Sequence, residues 1–378
     1  MSSRSRQWTD ALVATALFLV CFGLVHTWFW AHGELVDWPT YQHYGSAIVD
    51  RHQVPYRDFP VDYPPGSLPI FIVPAWFADY ASALEWVMAS CGVALVAVLA
   101  FVRREAAYYA ALAPLLVGSL ILSRFDLWPA LLLAVALAVL LTGRDAIGWA
   151  FLGAAVAAKL WPLVVVPPAL LWSVRRGHSR SPLAGVAVIA AAFVPFLVIA
   201  PHGVWHTLSS QFSRPLQVES LGAAFLTTFG QPSVVTSHGS QNLVGHGAFA
   251  AVLSVVGTLA VISTWLAFTR GPVTRERLVR FAVAGVCAFV AFDKVLSPQY
   301  LLWLIPIVPL VRGRRGLVAT MLLTIACVLT QVWFPQRYFA YADNFQLAWV
   351  VLLRDLVLVA LFATIVMPRP ERAVPRTS

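Results

Sequence analysis

ALVATALFLVCFGLVHTWFW, residues 11–30, contains no Asp, Glu, Lys or Arg and is preceded by Arg4 and Arg6. As a helix this run is long enough to cross the roughly 30 Å hydrocarbon core of a bilayer. A basic start with no small-residue cleavage site behind it predicts a retained signal-anchor helix over 10–31. Apolar runs recur from there to Met367, each ended by arginines, prolines or a polar turn. The 378 residues are 60% hydrophobic and only 11% charged, too little charge to cover a soluble domain of this length. Lipid is therefore the main solvent, and the chain reads as an all-α polytopic membrane protein. No Gly/Ser-rich linker interrupts it, so 1–378 is taken as a single transmembrane domain.

The net charge of +9 does not describe a nucleic-acid groove. The arginines sit in small clusters between apolar runs: Arg103–Arg104, Arg175–Arg176–Arg180, Arg270 to Arg280, Arg312–Arg314–Arg315 and Arg369 to Arg376. That is the positive-inside pattern of topology signals, and no nucleic-acid partner follows from it. Placing every cluster in the cytoplasm gives about twelve crossings with both termini cytoplasmic. The expected segments are 10–31, 81–102, 106–122, 127–142, 146–158, 161–173, 182–200, 247–269, 281–293, 300–311, 317–334 and 346–366. Outer loops fall at about 32–80 and 201–246, and cytoplasmic tails at 1–9 and 368–378. Several segments are short for a full crossing, which points to a water-filled cavity opening outward.

The threading separates the polar residues. The only two lysines, Lys159 and Lys294, fall at outer turns, as do most acids, from Glu34, Asp37, Asp50, Asp58 and Asp62 to Asp126, Glu219, Asp293 and Asp343. Ionisable groups near membrane depth are costly, so their concentration on one side marks a functional site. The four cysteines, Cys21, Cys91, Cys287 and Cys327, lie inside apolar runs with no metal or redox spacing and read as small packing residues. No metal site or cofactor is expected.

The first outer loop carries Asp37-Trp38-Pro39-Thr40-Tyr41, Pro55-Tyr56-Arg57-Asp58-Phe59 and Asp62-Tyr63-Pro64-Pro65-Gly66. Tyr41, Tyr44 and Ile48 have helical spacing, so 40–52 reads as an interfacial amphipathic helix, and Pro64-Pro65-Gly66 turns the chain back. Asp37 stands just past the first crossing. Three readings are open to it: general base toward an acceptor hydroxyl, solvated loop acid, or cap of the following helix. Asp58 and Asp62 with Arg57 read chiefly as loop builders, and a lone Asp-x-x-x-Asp is a weak metal signal.

Three outer turns each present a cation: Ser123-Arg124-Phe125-Asp126, Lys159-Leu160-Trp161-Pro162, and Asp293 to Tyr300 with Lys294 and Gln299. Converging Arg and Lys supply the charge and directed donors that a phosphate or diphosphate needs. The competing reading is snorkelling, or a helix-end ion pair with Asp126 or Asp293. The second long loop adds Arg214-Pro215-Leu216-Gln217-Val218-Glu219-Ser220 and His238, a set for a sugar or polar head, or simply loop structure. Most of the fifteen tryptophans, including Trp28, Trp30, Trp38, Trp128 and Trp333, fit an aromatic belt. Arg354 and Asp355 are intramembrane charges expected to pair with each other or a neighbouring helix.

Taken together, Asp37, Pro-Tyr-x-Asp-Phe…Asp-Tyr-Pro-Pro-Gly at 55–66, Arg-Phe-Asp-Leu at 124–127, Lys-Leu-Trp-Pro at 159–162, Arg-Pro-Leu-Gln-Val-Glu-Ser at 214–220 and Lys-Val-Leu-Ser-Pro-Gln-Tyr at 294–300 resemble glycosyltransferase family 87. The resemblance implies a GT-C-like bundle and a polyprenyl-phosphate sugar donor, by analogy mannose. It also implies transfer with inversion on the extracytoplasmic face of the cell (plasma or inner) membrane. By position Asp37 takes the role of base, with Arg124, Lys159, Lys294 and Gln299 on the donor phosphate. Tyr41, Asp58, Asp62, Tyr63, Asp126, Arg214, Glu219 and Tyr300 are candidate substrate contacts, and His238 is the nearest match to a phosphate-assisting histidine. The partners implied are the donor, a lipid or glycan acceptor and membrane lipids. The alternative is a transporter or flippase for a lipid-linked sugar, disfavoured by the lack of internal repeats and of a midplane site.

Overall fold

A computed structural model describes residues 3–32 and 37–367. Glu34 and the basic tail at 368–378 lie outside the described residues. The chain opens with α1 (Ser3–His32), α2 (Trp38–Val49), α3 (Leu68–Ala75) and α4 (Tyr80–Val102). A broken stretch follows, α5 (Arg104–Ala111), α6 (Ala113–Val117) and α7 (Leu120–Ser123), then the hairpin α8 (Leu127–Thr142) and α9 (Asp145–Ala158). Next come α10 (Val166–Arg175), α11 (Pro182–Ile199), α12 (Pro201–Ser213), α13 (Leu221–Phe229) and a two-stranded hairpin, β1 (Val234–Ser237) with β2 (Ser240–Leu243). The bundle closes with α14 (Gly247–Thr269), α15 (Arg275–Phe292), α16 (Leu301–Leu304), α17 (Gly313–Trp333), α18 (Tyr338–Asn344) and α19 (Ala348–Val366).

This is an all-α membrane protein. Among the described residues, six helices are long and apolar enough to cross a bilayer: Ser5–Trp30 within α1, and α4, α11, α14, α17 and α19. Shorter apolar helices occupy 65–75, 127–142, 145–158, 161–175 and 298–310. The broken helix has a sequence cause, since Pro114 sits in α6 and Gly118, at φ +59°, ends it in a conformation that suits glycine. The amphipathic helix expected over 40–52 forms at 38–49 and buries Tyr41, Tyr44, Gly45 and Ala47.

Between helices in lipid the hydrophobic effect gives little, so close backbone approach must supply the packing. The crossing of α9 with α11 shows it: a Cβ on Gly153 would lie 2.4 Å from the Gly185 carbonyl oxygen. Gly185 is the only buried residue of α11, whose remaining faces are partly or fully uncovered, as a lipid-facing helix should be. The four cysteines are buried and unpaired. Trp28 and Trp30 are exposed near the end of α1, but Trp333 is fully buried, so the belt reading fails for it. It packs instead under the guanidinium of Arg354, 5.6 Å from its ring centre.

The two ends of the bundle differ in chemistry. At one end the arginine clusters cap helix ends across the fold. Arg103 donates to the Val311 carbonyl at 2.6 Å, and Arg175 to those of Thr269 and Gly271 at 3.0 and 3.2 Å. Arg280 reaches Ile365 and Val366 at 2.7 and 2.9 Å, and Arg315 reaches Met367. Asp145 gathers Arg176 and His178 at the same end, at 3.3 and 3.0 Å. Cations placed on C-terminal carbonyls satisfy orphan acceptors and oppose the helix dipole. Both lysines lie at the other end, together with Asp37, Asp126, Glu219 and Asp293.

Candidate functional site

At that second end Asp37 before α2, the α7–α8 turn, the α9 exit, the 214–219 segment and the α15 exit converge. Asp37 occupies the N-terminal cap position of α2, yet its side chain makes no capping hydrogen bond. The carboxylate instead pairs with Arg124 and accepts a long bond from the Tyr41 hydroxyl at 3.5 Å. Of the readings left open by the sequence, the capping one is therefore not taken up. Asp37 keeps about a third of its side chain exposed, at 33%, whereas Arg124 keeps 7%. Tyr41 is enclosed by aromatic contacts: it stacks on Phe71 at 4.9 Å and meets Phe125 edge-on at 5.5 Å.

Two residues beyond Arg124, Asp126 is fully buried at the head of α8. Its Oδ1 accepts from Lys159 Nζ at 2.6 Å and from the indole Nε1 of Trp303 at 2.7 Å, and its Oδ2 has no partner among the described residues. Lys159 is thus held in a box. Its ammonium lies 4.9 Å from the Phe125 ring centre, 5.2 Å from Trp303 and 5.8 Å from both Tyr63 and Tyr300. Cation–π contacts of this kind partly replace lost water. Trp303 is clamped in turn between Trp161 and Tyr300, with ring centres at 4.8 and 3.8 Å. Gly66 fixes the α9 exit: a Cβ there would lie 2.5 Å from the Ala157 carbonyl carbon, and Trp128 donates to the Gly66 carbonyl at 3.2 Å. The Pro-Pro-Gly turn thereby lies directly against the residues that precede Lys159.

The 214–219 segment is held against β2 by a single bridge at Gln217, opposite Asn242. Leu243 and Val218 exchange backbone bonds across it with Leu216 and Gln241, at 2.9 and 3.0 Å, and Gln217 N–H reaches the Lys294 carbonyl at 3.0 Å. From the bundle side, Tyr341 donates to the Val218 carbonyl at 2.6 Å and Arg354 to the Glu219 carbonyl at 2.8 Å. Glu219 itself is buried, with Oε2 unpartnered, and burial pushes its carboxyl up to about 7. Tyr338, Gln217 and Arg354 oppose that shift.

These groups act on one another's charge: Arg124 on Asp126, Tyr338 and Glu219, and Lys159 on Arg124 and Arg214. Arg214, which the sequence left between sugar contact and loop structure, stands inside this charge cluster. Its guanidinium donates to Ser240 Oγ at 3.1 Å and its Nε is unpartnered. Lys294 lies at the rim, donating to the Phe212 carbonyl at 2.7 Å with Asp293 and Arg214 nearby. Gln299 accepts from Ser297 Oγ at 2.7 Å, and Tyr300 senses Asp293, Arg214, Asp126 and Glu219. Several buried polar atoms of the cluster lack partners among the described residues: Arg124 Nε, Asp126 Oδ2, Arg214 Nε, Gln217 Oε1 and Glu219 Oε2. Orphan donors and acceptors gathered in one place are what a polar ligand would satisfy.

The profile of glycosyltransferase family 87 matches residues 61–298, more than half of the chain. The chain belongs to glycosyltransferase family 87. A search of curated proteins returns no match. This member of the family is therefore a membrane glycosyltransferase, and the transporter alternative is set aside. The matched span holds Arg124, Asp126, Lys159, Arg214, Glu219 and Lys294, whereas Asp37, Gln299 and Tyr300 fall outside it.

Other candidates lie apart. Asp58 is tied to Arg57 Nε at 2.8 Å and to the Val54 N–H at 2.8 Å, the loop-building role expected of it. Those bonds hold its carboxyl down at about 2. Asp62 accepts from Tyr44 at 3.0 Å and, with Asp58 and His206, lines a small separate pocket of about 190 Å³. Tyr63 does reach the cluster, through the Lys159 box and an edge contact to Phe125 at 4.8 Å. His238 sits exposed at the β1–β2 turn with φ +52°. Sequence reasoning missed Trp303, Tyr338 and the reach of Arg354. An indole or phenol in an apolar run gives no sign of its partner, but an intramembrane Arg-Asp dipeptide does.

Proposed function

We propose that the enzyme transfers a sugar, by family analogy mannose, from a polyprenyl phosphate to a hydroxyl of a lipid or glycan acceptor. The reaction takes place on the extracytoplasmic face of the cell membrane. The observation that carries this reading is the pairing of Asp37 with Arg124 beside a buried, under-satisfied charge cluster, at the end of the bundle opposite the arginine caps. The positive-inside rule assigns that arginine end to the cytoplasm together with both termini. About twelve crossings follow when the shorter helices are counted with the six long ones. Short and broken helices suit this end, because irregular backbone at membrane depth is tolerated where it lines a cavity.

In this mechanism the prenyl chain stays in lipid and the phosphate enters among the cations. Arg124 and Arg214 take the phosphate oxygens with their unpartnered N–H groups, and Lys294 and Gln299 close the rim. Lys159 acts from behind Asp126, holding the α8 head in place and adding positive potential. As Arg124 turns to the phosphate, Asp37 is released to accept the proton of the acceptor hydroxyl. That oxygen bonds to C1 as the C1–O bond to phosphate breaks, and the electron pair leaves on the phosphate. Attack from the opposite face inverts the anomeric centre, and the fixed cations stabilise the departing charge.

The test is Asp37→Asn, folded and in membranes, assayed for transfer of radiolabelled sugar from a polyprenyl-phosphate donor. A loss of about 10²- to 10⁴-fold in kcat is expected of a missing general base. Near-normal transfer by that variant would remove Asp37 from the role.

A further inference from the structure

Arg354 and Asp355 are the most expensive residues of the fold to keep. Both are fully buried in α19, about 9 Å along the helix axis from its N-terminal end, and form an ion pair, Nε to Oδ1 at 2.7 Å, that lacks hydrogen-bond geometry and leaves both Asp355 oxygens without a hydrogen-bond donor among the described residues. A charged side chain deep in a spanning helix is costly to insert, and such residues persist for function. Replacing a buried pair by apolar side chains is often neutral or stabilising, so stability alone does not explain this one.

Its contacts point one way. Arg354 stacks over Trp333 and sends Nη2 out of the bundle to the Glu219 carbonyl at 2.8 Å. Tyr341, bonded to the neighbouring Val218 carbonyl at 2.6 Å, supports the same segment from the adjoining α18. Glu219 is 2% exposed, and its Oε2 is one of the cluster's orphan acceptors. Tyr338 and Gln217 face the same carboxylate.

We propose that Arg354, aimed by Asp355, is a positioning residue for Glu219, and that Glu219 holds hydroxyls of the transferred sugar. A buried carboxylate oxygen with no protein donor suits a polyol, whose hydroxyls supply strong charge-assisted bonds. Arg354 touches no substrate and acts by fixing the backbone from which Glu219 projects. This rests on the transferase reading above for its ligand, though not for its mechanics.

The experiment compares wild type, Arg354→Met/Asp355→Leu, Arg354→Lys, Glu219→Gln and the triple variant. Each is measured for apparent unfolding temperature, kcat, donor KM, and amide hydrogen exchange across 216–220. The apolar double variant is expected to unfold no earlier than wild type and to lose about 10- to 100-fold in kcat. Donor KM should stay within about twofold, and exchange across 216–220 should quicken. Arg354→Lys should recover part of the loss, and the triple variant should be no slower than Glu219→Gln alone. Wild-type kcat in the folded double variant, or in Glu219→Gln, overturns the proposal, as do losses that multiply in the triple variant. If wild-type enzyme transfers no sugar from any polyprenyl phosphate, the transferase reading fails by itself. The exchange measurement then decides the mechanics: unchanged exchange at 216–220 overturns the positioning role, and faster exchange upholds it.

Discussion

Replacing Lys159 by Met removes one charge from a largely buried pair and leaves Asp126 without its hydrogen-bonded cation. Asp126 is 0% exposed, and Lys159 Nζ at 2.6 Å is its only charged hydrogen-bond partner among the described residues. Trp303 at 2.7 Å would remain, but a neutral donor does not offset a buried carboxylate, and Oδ2 already has no partner. Breaking a buried pair from one side costs about 3–5 kcal/mol. Loss of the contacts to Phe125 and Trp303, the two nearer rings, adds a smaller amount, on the order of 1 kcal/mol. For a domain of this size the sum corresponds to a fall on the order of 10 °C in unfolding temperature.

Tryptophan fluorescence during heating in nanodiscs reads it out directly, because Trp161 and Trp303 flank the site. The control is Asp126→Leu/Lys159→Met, which removes both charges and should recover most of the loss or exceed wild type. A single variant that unfolds within about 2 °C of wild type would refute the reasoning. So would a double variant no more stable than the single one. Activity answers a separate question: if Lys159 adds positive potential to the donor site, the double variant stays folded but transfers slowly.

Other parts of the site give further expected outcomes. The Glu219 carboxyl, raised to about 7 by burial, is protonated below that pH and ionised above it, so kcat/KM should rise through about 7, and Glu219→Gln should abolish that limb. The same shift favours the protonated folded state, so its contribution to stability is greatest below about 4.3 and is lost as pH rises through about 7, which unfolding at pH 5 and pH 8 compares. Gly153→Leu drives a side chain into the Gly185 carbonyl, 2.4 Å from where a Cβ would sit, and should cost about 1–3 kcal/mol or more in thermal unfolding. Asp58→Asn loosens the 54–58 turn and should leave kcat close to wild type, in contrast to Asp37→Asn.

Much of this fold was legible because lipid imposes a simple rule on sequence. Runs such as 11–30 and 247–269 have little choice but to be helices, and arginines between runs mark helix ends. What the pattern does not carry is partnership. The sequence put Lys159 and Lys294 in the same class, a cation at a turn. Packing gives Lys159 a carboxylate and four rings, and gives Lys294 only a carbonyl at the rim. Asp37 was open in sequence to base, solvated loop acid or cap, and the absence of a capping bond, with the pairing to Arg124, removes only the last. Arg214 and Glu219 looked like loop residues because their setting depends on β2, on Lys294 and on α19, all distant in the chain.

The charge balance of the cluster explains why its atoms are left under-satisfied. Arg124, Lys159, Arg214 and Lys294 stand against Asp37, Asp126, Glu219 and Asp293, four cations facing four acids. Within that sum the partners are unequal. Asp126 takes up Lys159 fully, and Asp37 takes up Arg124 only through a partly exposed contact at the mouth. Glu219 is opposed by Arg354, and Arg214 faces Asp293. Among the described residues, unpartnered N–H groups remain on Arg124 and Arg214. In the proposed mechanism an entering phosphate competes at Arg124 against Asp37, which keeps about a third of its side chain exposed, at 33%. Opening that pair is what would free the proposed base.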